Sequence, residues 1–158
     1  MKGSDRPSPA LKAFFNAPRW FYAHGLGWLM GKRFIALSHV GRKSGIERKT
    51  VLEVAVYHPD TREMIVASAF GLKADWYLNI QAKPAHLVQV GRTEYVPHQR
   101  FLGPDEARAA AAEFCRKHRL EARAAIPVFV AMGGAKKGEF TDPVDLLASL
   151  PMVAFKPT

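Results

Sequence analysis

Apolar and polar residues alternate through the central part of the chain, which is the pattern of β-strands with one buried face. The pattern predicts strands at 34–40, 48–58 and 63–70. In the second of these, Leu52, Val54 and Val56 fall on one predicted face and Glu53 on the other. Short turns rich in glycine, proline and polar residues separate the three segments. Consecutive strands joined in this way predict an antiparallel meander.

Beyond this meander the pattern predicts a mixture of helices and shorter strands. Asp75 is the predicted N-cap of a helix that Pro84 ends. Pro104 and the acidic residues after it open an alanine-rich helix, whose basic last turn suits the helix dipole. The predicted helices are 76–82, 104–118 and 142–150, and the predicted strands are 86–90, 94–101, 127–132 and 152–155.

About six antiparallel strands with few helices indicate a mainly β, α+β fold, namely a small closed or split β-barrel with peripheral helices. We expect a single domain over residues 10–158, preceded by a mobile arm at 1–9. Residues 10–31 show an interrupted helical pattern rich in aromatic and basic side chains. This helical segment could pack on its own domain, or it could lie on an anionic membrane surface.

Composition permits a hydrophobic core and excludes several classes of protein. Apolar residues make up 48% of the 158 positions, which suits one compact domain. The single Cys115 excludes an intrachain disulfide, and the six histidines lack metal-ligand spacing, so no metal site is predicted. The sequence contains no apolar stretch of the roughly 20 residues that cross a bilayer. It also contains no recognisable secretory signal, and a cytoplasmic location is expected.

The positive charge of the chain is concentrated near its beginning. The formal net charge is +9, and residues 1–50 carry 10 basic and 2 acidic side chains, a net charge of +8. A localised field of this sign attracts an anion such as a phosphorylated cofactor, an acidic membrane surface or nucleic acid. Nucleic acid is disfavoured, because no known nucleic-acid-binding motif accompanies the charge. A solvated basic surface is the remaining interpretation.

The most concentrated charge lies in the turn between the first two predicted strands, residues 41–45 with the sequence GRKSG, here called the basic turn. Arg48 and Lys49 follow it. Glycines let a backbone approach an anion, while Ser and Arg side chains donate hydrogen bonds to phosphate oxygens. The spacing matches neither a Walker loop nor a dinucleotide-binding fingerprint. From composition alone, a plain surface turn remains an alternative.

Other candidate residues are less distinctive when they are considered singly. Ser68 lacks the flanking glycines and the Asp and His spacing of a catalytic triad, so it reads as a hydrogen-bonding residue at the mouth of the barrel. Glu53 could handle a proton if its face is enclosed, and a solvated outer face is the alternative. Trp76 and Asn79 share a predicted helix face, so one could pack while the other contacts a ligand.

Taken in order, four motifs resemble the deazaflavin-dependent nitroreductase family. They are GRKSGxxR at 41–48, VAS at 66–68, DWYxNIxAxP at 75–84 and VxV at 88–90. The resemblance extends from about Phe34 to Phe101. It implies a split β-barrel of the FMN-binding type that binds coenzyme F-420, an 8-hydroxy-5-deazaflavin. It also implies an oxidoreductase in which the reduced coenzyme delivers a hydride to a small unsaturated, quinone-like or nitro substrate.

The resemblance also implies which residues form the site. The implied cofactor-binding residues are Arg42, Lys43, Ser44, Gly45, Arg48, Thr50, Val66, Ala67, Ser68, Lys73, Trp76 and Asn79. The anionic phosphate and oligoglutamate tail of the coenzyme would lie near Arg42, Lys43, Ser44 and Arg48. Val66, Ser68, Trp76 and Asn79 would lie near its ring system. Ser68 is in addition the candidate catalytic residue, as a proton relay.

The chain departs from the family pattern at two places. Phe70 stands in a loop where many relatives have glycine, and no tyrosine follows Tyr95, whereas nitro-reducing relatives use C-terminal tyrosines. Residues 119–158 match the family poorly and are expected to shape substrate access.

Two alternatives to this function stay open. The same barrel could bind FMN or haem, or the chain could be a non-catalytic coenzyme-binding protein at a membrane surface. Barrels of this kind often pair, so a homodimer is also expected.

Overall fold

Among the residues that the computed structural model describes, which are 20, 23–69 and 71–158, seven strands and four α-helices are present. The strands are β1 (Phe34–Val40), β2 (Glu47–His58), β3 (Glu63–Ala67), β4 (Leu87–Val90), β5 (Thr93–Tyr95), β6 (Pro97–Phe101) and β7 (Met152–Pro157). The helices are α1 (Asp75–Ala82), α2 (Pro104–Lys117), α3 (Arg119–Ala131) and α4 (Pro143–Ala148), with short 3-10 helices at Gly27–Met30 and Gly71–Lys73. The predicted mobile arm at 1–9 and most of the helical segment 10–31 lie outside the described residues.

The sheet closes on itself as a barrel. Its strand order is β5-β4-β1-β2-β3-β7-β6, and every neighbouring pair is antiparallel. The two edge strands, β5 and β6, are separated in sequence only by Val96. Because one residue spans only about 3.5 Å, the end of β5 lies close to the start of β6, and the chain passes directly from one edge of the sheet to the other. The predicted mainly β fold, a split barrel with peripheral helices, is confirmed.

Two apolar clusters lie on opposite sides of the barrel wall. The interior is filled by side chains that include Ile35, Leu37 and Phe155. On the outside, β2, β3 and β7 pack against the alanines of α2. The large apolar area that is removed from water on both faces of these strands supplies the main stabilisation of the fold.

A β-bulge interrupts the alternation that the sequence predicts for the second strand. The pairing of β2 with β3 shifts register between Val54 and Val56. Val54 packs inside the barrel, whereas Val56 packs in the outer cluster with Ile65. The expectation that Leu52, Val54 and Val56 share one face is therefore wrong for Val56, because the extra residue of a bulge reverses the faces beyond it.

Two predicted strands are corrected by the structure. The predicted strand 94–101 is two strands, since β5 pairs with β4 whereas β6 pairs with β7. Pro97 begins the second, at a position where a residue without an N–H is tolerated. Six of the predicted strand segments are strands in the structure, and the division of 94–101 makes them seven.

The second correction concerns 127–132, which lies largely in α3 and is not a strand. The short apolar run resembles a buried strand, but the helix-forming residues before it carry the helix through Pro127. The predicted strand 63–70 ends earlier, at Ala67, and Phe70 lies outside the described residues.

Candidate functional site

The basic turn is a closed loop whose backbone is fixed by its own hydrogen bonds. The Gly41 N–H donates to the Ile46 carbonyl at 2.9 Å, and the Gly45 N–H donates to the Gly41 carbonyl at 2.8 Å. Gly45 has a φ of +67°, in the left-handed region that favours glycine. A Cβ on Gly41 would lie 2.5 Å from the Ser44 Oγ, so a side chain there would displace the serine. The two glycines therefore allow the turn to adopt its shape.

Helix α1 fixes the arginine of this turn. Asn79 Oδ1 accepts from the Arg42 backbone N–H at 3.1 Å and from its Nη1 at 2.9 Å. Asp75, one helical turn earlier, accepts from the same Nη1 at 3.1 Å. The Arg42 side chain is 25% exposed, whereas that of Asp75 is 86% exposed. One guanidinium nitrogen is thus committed to the helix, while the rest of the group remains on the surface of the turn.

Behind Asn79 the network continues into the barrel wall. The Asn79 Nδ2 donates to the Nδ1 of His39 at 3.2 Å, and the His39 Nε2 lies 3.0 Å from the Thr50 Oγ1. Because Asn79 Oδ1 accepts from Arg42, its Nδ2 is the donor, and His39 Nδ1 must accept. The His39 proton therefore resides on Nε2 and is donated to Thr50, so the imidazole is neutral.

Electrostatics favour the same protonation state. His39 is only 2% exposed, and burial lowers its pKa below the ordinary value of 6.5. Coulombic interactions with His86 and Arg48 lower the pKa further. A proton on Nδ1 would also oppose the Asn79 amide donor. The hydrogen-bond geometry and the charge distribution agree that this buried network contains no charged histidine.

The remaining cations of the turn region are available to an anion. Lys43 and Arg48 are exposed, and neither has an acidic partner within the described part of the chain. Lys49 donates to Gln89 at 3.2 Å. Ser44 Oγ accepts from the Ile46 N–H at 3.2 Å, which leaves its own hydroxyl proton to donate. This donor set fits a phosphate or carboxylate group.

Ser68 holds the loop that follows β3. It is fully buried, its Oγ donates to the Gly71 carbonyl at 2.7 Å, and its N–H donates to the Pro151 carbonyl at 2.8 Å. A cavity of about 260 Å³ adjoins this loop. Its walls are Ala69 and Gly71 on one side and residues of the C-terminal segment on the other: Phe129, Met132, Gly133, Gly134 and Leu150. Ser68 therefore shapes one side of this cavity.

The other predicted site residues occupy different environments. Val66 and Trp76 are buried in the barrel interior, and Trp76 is 8% exposed. Ala67 is half-buried at the end of β3, and Lys73 is exposed in the short 3-10 helix before α1. The structure thus joins Arg42, Asn79 and Thr50 in one network. No hydrogen bond between described residues connects Ser68 with it.

Comparison with known proteins identifies the family. The sequence model of the F420H2-dependent quinone reductase family matches residues 19–132, more than half of the chain. The chain belongs to this family. It is a deazaflavin-dependent oxidoreductase that uses coenzyme F-420 and acts on a small molecule. The resemblance drawn from the four motifs is confirmed. No curated protein matches the chain.

Three solved structures are similar to this F420H2-dependent quinone reductase family member, and the first of the three has a TM-score above 0.5. A pyridoxamine 5'-phosphate oxidase-related, FMN-binding protein from Nostoc punctiforme is 12% identical with a TM-score of 0.54, over 98% of this chain and 83% of that one. An F420-H2 dependent reductase (FDR-A) is 18% identical with a TM-score of 0.47, over 80% of this chain and 96% of that one. A domain-swapped dimer has the same identity and TM-score, over 94% of this chain and 100% of that one. At these identities the likeness concerns the fold.

Two residues of the network in this family member are missed by sequence reasoning. The sequence analysis counts His39 only among six scattered histidines. Its position near the end of β1, beside the basic turn, is a signal that could have placed it at the site. Asp75 is predicted as an N-cap, which is wrong: Ala74 is the N-cap and Asp75 begins α1. Its spacing of four residues from Asn79 places both side chains on one helix face, where both reach Arg42.

Glu53 lies on the solvated outer face, one of the two alternatives for it. Its carboxylate is 3.3 Å from the Arg33 guanidinium, which also lies 3.0 Å from Glu121. Desolvation raises the pKa of Glu53, and the charge of Arg33 opposes that rise. The described residues contain no group of three potential metal-ligating side chains, and none of their helices has the length and apolarity needed to cross a bilayer.

Proposed function

We propose that the basic turn holds the anionic tail of coenzyme F-420. The observation that carries the proposal is the anchoring of Arg42 by Asn79, because it presets one cation, while Lys43 on the turn and Arg48 just after it have no acidic partner among the described residues. Charge-assisted hydrogen bonds from such groups are the strong contacts to phosphate and carboxylate. Since the turn is already closed, little further ordering is needed when the tail binds.

We propose further that the ring of the coenzyme lies toward the Ser68 loop, and that the substrate enters by the adjoining cavity. When bound, the reduced coenzyme supplies a hydride to an electrophilic substrate. Phe129, Met132 and Leu150 would exclude water from the substrate and select for flat apolar molecules. We favour a quinone-like substrate, because a quinone becomes a hydroquinone on receiving a hydride and a proton, and because no tyrosine follows Tyr95.

Ser68 has two possible roles in this scheme. Its hydroxyl proton is engaged by the Gly71 carbonyl, so a proton relay through Ser68 would require that bond to open. As a positioning residue, Ser68 instead keeps the loop against the cavity. A Ser68→Ala variant with unchanged turnover and lowered coenzyme affinity would contradict the relay role and support the positioning role.

The tail site is tested by titrating the protein with the deazaflavin while following its fluorescence. The variant Arg42→Ala with Lys43→Ala removes two positive charges from the turn, and we expect its affinity to fall at least about tenfold. The matched control is Lys136→Ala with Lys137→Ala, which removes the same charge from an exposed pair elsewhere. Wild-type affinity should fall at raised salt. Equal affinities of the two double variants would contradict the proposal.

The substrate class is tested with the reduced coenzyme and two soluble acceptors, a naphthoquinone and a nitroimidazole. Oxidation of the coenzyme is followed by absorbance, and we expect the naphthoquinone to react faster. Faster reaction of the nitroimidazole would contradict the quinone preference.

The FMN-binding relative makes FMN the second candidate cofactor. Native mass spectrometry separates the two, because retained FMN and retained deazaflavin differ in mass. The predicted homodimer is tested by the mass of the intact protein in the same experiment.

A further inference from the structure

A second cationic region lies at the other end of β1 from the basic turn. There a cavity of about 370 Å³, here called the Tyr95 cavity, is lined by residues that include Lys32, Tyr57, Arg62, Arg92 and Tyr95. Strand β1 has seven residues, so about 20 Å of barrel separates this cavity from the basic turn. None of these residues belongs to the site proposed above.

The charge of the Tyr95 cavity has one sign. Three cations line it, and its lining contains no Asp or Glu. Lys32 Nζ donates to the Tyr57 hydroxyl at 3.1 Å and lies 4.4 Å from the centre of its ring. The Arg92 guanidinium lies 4.8 Å from the centre of the Trp28 ring. Within the described residues none of the three, Arg62 included, has a carboxylate partner. Aromatic contacts orient these cations without neutralising them.

The backbone is strained at one wall of the cavity. Arg62 has a φ of +57°, and no other non-glycine residue among those described has a positive φ. The left-handed conformation is unfavourable for such a residue. Glycine or asparagine would adopt this backbone conformation at a lower free-energy cost. The strain therefore points to a role for the arginine side chain at this position.

The cavity also adjoins a polar group that lacks a partner. The Tyr95 hydroxyl is buried and makes no hydrogen bond to any described residue. Burial raises the pKa of Tyr95, so the hydroxyl remains a proton donor at neutral pH. An unmade hydrogen bond of a buried group is unfavourable. Because the hydroxyl oxygen has almost no accessible surface, Tyr95 presents its ring and not its hydroxyl to the cavity.

We propose that the Tyr95 cavity binds a small organic anion, a carboxylate or phosphate carried on a flat apolar body. Arg62, Arg92 and Lys32 bind the oxyanion. The apolar body packs on Met64 and on the Tyr95 ring, which line the cavity with the cations. The volume of the cavity suits a ligand of one or two rings. This site does not depend on the proposed function of the basic turn.

The test uses the full chain and calorimetric titration with phenyl phosphate, benzoate, inorganic phosphate and the uncharged benzyl alcohol. We expect phenyl phosphate and benzoate to bind, and inorganic phosphate and benzyl alcohol to bind at least tenfold more weakly. The variant Arg62→Gln with Arg92→Gln should weaken phenyl phosphate binding at least about tenfold. Both side chains are exposed, so the variant should fold. The control Lys136→Gln with Lys137→Gln has the same net charge as the Arg62 and Arg92 variant, and it should bind phenyl phosphate as the wild type does.

Tyr95→Phe gives a second readout. It should raise the melting temperature of the ligand-free protein, because it deletes an unsatisfied hydroxyl, and it should leave phenyl phosphate affinity unchanged, because the ring that lines the cavity remains. Unchanged affinity in the Arg62 and Arg92 variant would overturn the proposal, as would equal binding of benzyl alcohol. Competition by coenzyme F-420 would assign the cavity to the coenzyme site and would overturn the proposal of a separate anion site. Equal binding of inorganic phosphate would overturn the requirement for an apolar body.

Discussion

The two ends of β1 both carry clustered cations, but they hold them in different ways. At the basic turn, Arg42 is hydrogen-bonded to Asn79, and that amide is in turn bonded to His39 inside the barrel wall. Each polar group of this chain of contacts has a partner. The position of the guanidinium is therefore set before any ligand arrives.

The Tyr95 cavity contains no comparable polar network among the described residues. Two of its three cations contact aromatic rings, Arg62 has a strained backbone, and the buried Tyr95 hydroxyl has no partner among the described residues. The comparison teaches that similar charge can be supported by internal hydrogen bonds or left to be completed by a ligand. Substitutions at the first region should lower stability and ligand affinity together, whereas substitutions at the second should separate the two.

The largest expected effect is that of Asn79→Ala. The change leaves the Arg42 N–H and the buried His39 Nδ1 without their partner, so the free energy of unfolding should fall by about 2–3 kcal/mol. Urea denaturation measures it, and coenzyme affinity should fall in the same variant. The control Gln81→Ala removes an exposed amide from the same helix and should change stability by less than about 0.5 kcal/mol. Equal stability of the two variants would remove the distinction between the two regions.

The next largest effect is a pH dependence of the free energy of unfolding. It arises from His39, at the buried end of the network. The pKa of His39 is lowered in the folded protein, so below about pH 6.5 the unfolded chain binds more protons than the native state does. This contribution to the free energy of unfolding is therefore complete above pH 6.5 and is lost as the pH falls toward the folded pKa. His86 and Arg48, both positive or able to become so, strengthen the effect.

The measurement is the free energy of unfolding between pH 7.5 and 5 for wild type and His39→Gln. The wild type should lose more stability than the variant does over this range. The control His98→Gln changes an exposed histidine and should leave the wild-type slope intact. Parallel curves for wild type and His39→Gln would contradict a neutral histidine in the network.

Sequence reasoning predicts the barrel well where the pattern is local. The first strand is predicted at 34–40, which are its observed bounds, because alternation and a glycine turn both mark it. The strand predicted at 127–132 fails for a related reason: a short apolar run has the same appearance in a strand and in a buried helix. The bulge at Val54–Val56 has no local signal, since it is defined by pairing with β3.

The candidate site is likewise only partly predictable from the sequence. The basic turn is visible in the sequence because its glycines and cations are contiguous. The contacts that hold Arg42 are not visible in the sequence. Asn79 lies 37 residues from Arg42 and contacts it only when α1 packs against β1. The Tyr95 cavity is still less visible, since its three cations come from the segment before β1 and from two separate turns. Contacts of this range depend on the closed barrel and not on local pattern.

The smallest expected effect tests the strained end of the comparison. Arg62→Gly should raise the free energy of unfolding by about 0.5–1 kcal/mol, because relief of a left-handed φ outweighs the added freedom of the unfolded chain. The same variant should bind phenyl phosphate more weakly than wild type. Arg62→Gln is the matched control, since it removes the charge but keeps the strain, and it should lose affinity without gaining stability. If Arg62→Gly is instead destabilised by more than about 0.5 kcal/mol, the arginine supports the turn itself, and the separation of stability from ligand binding fails at this end of the barrel.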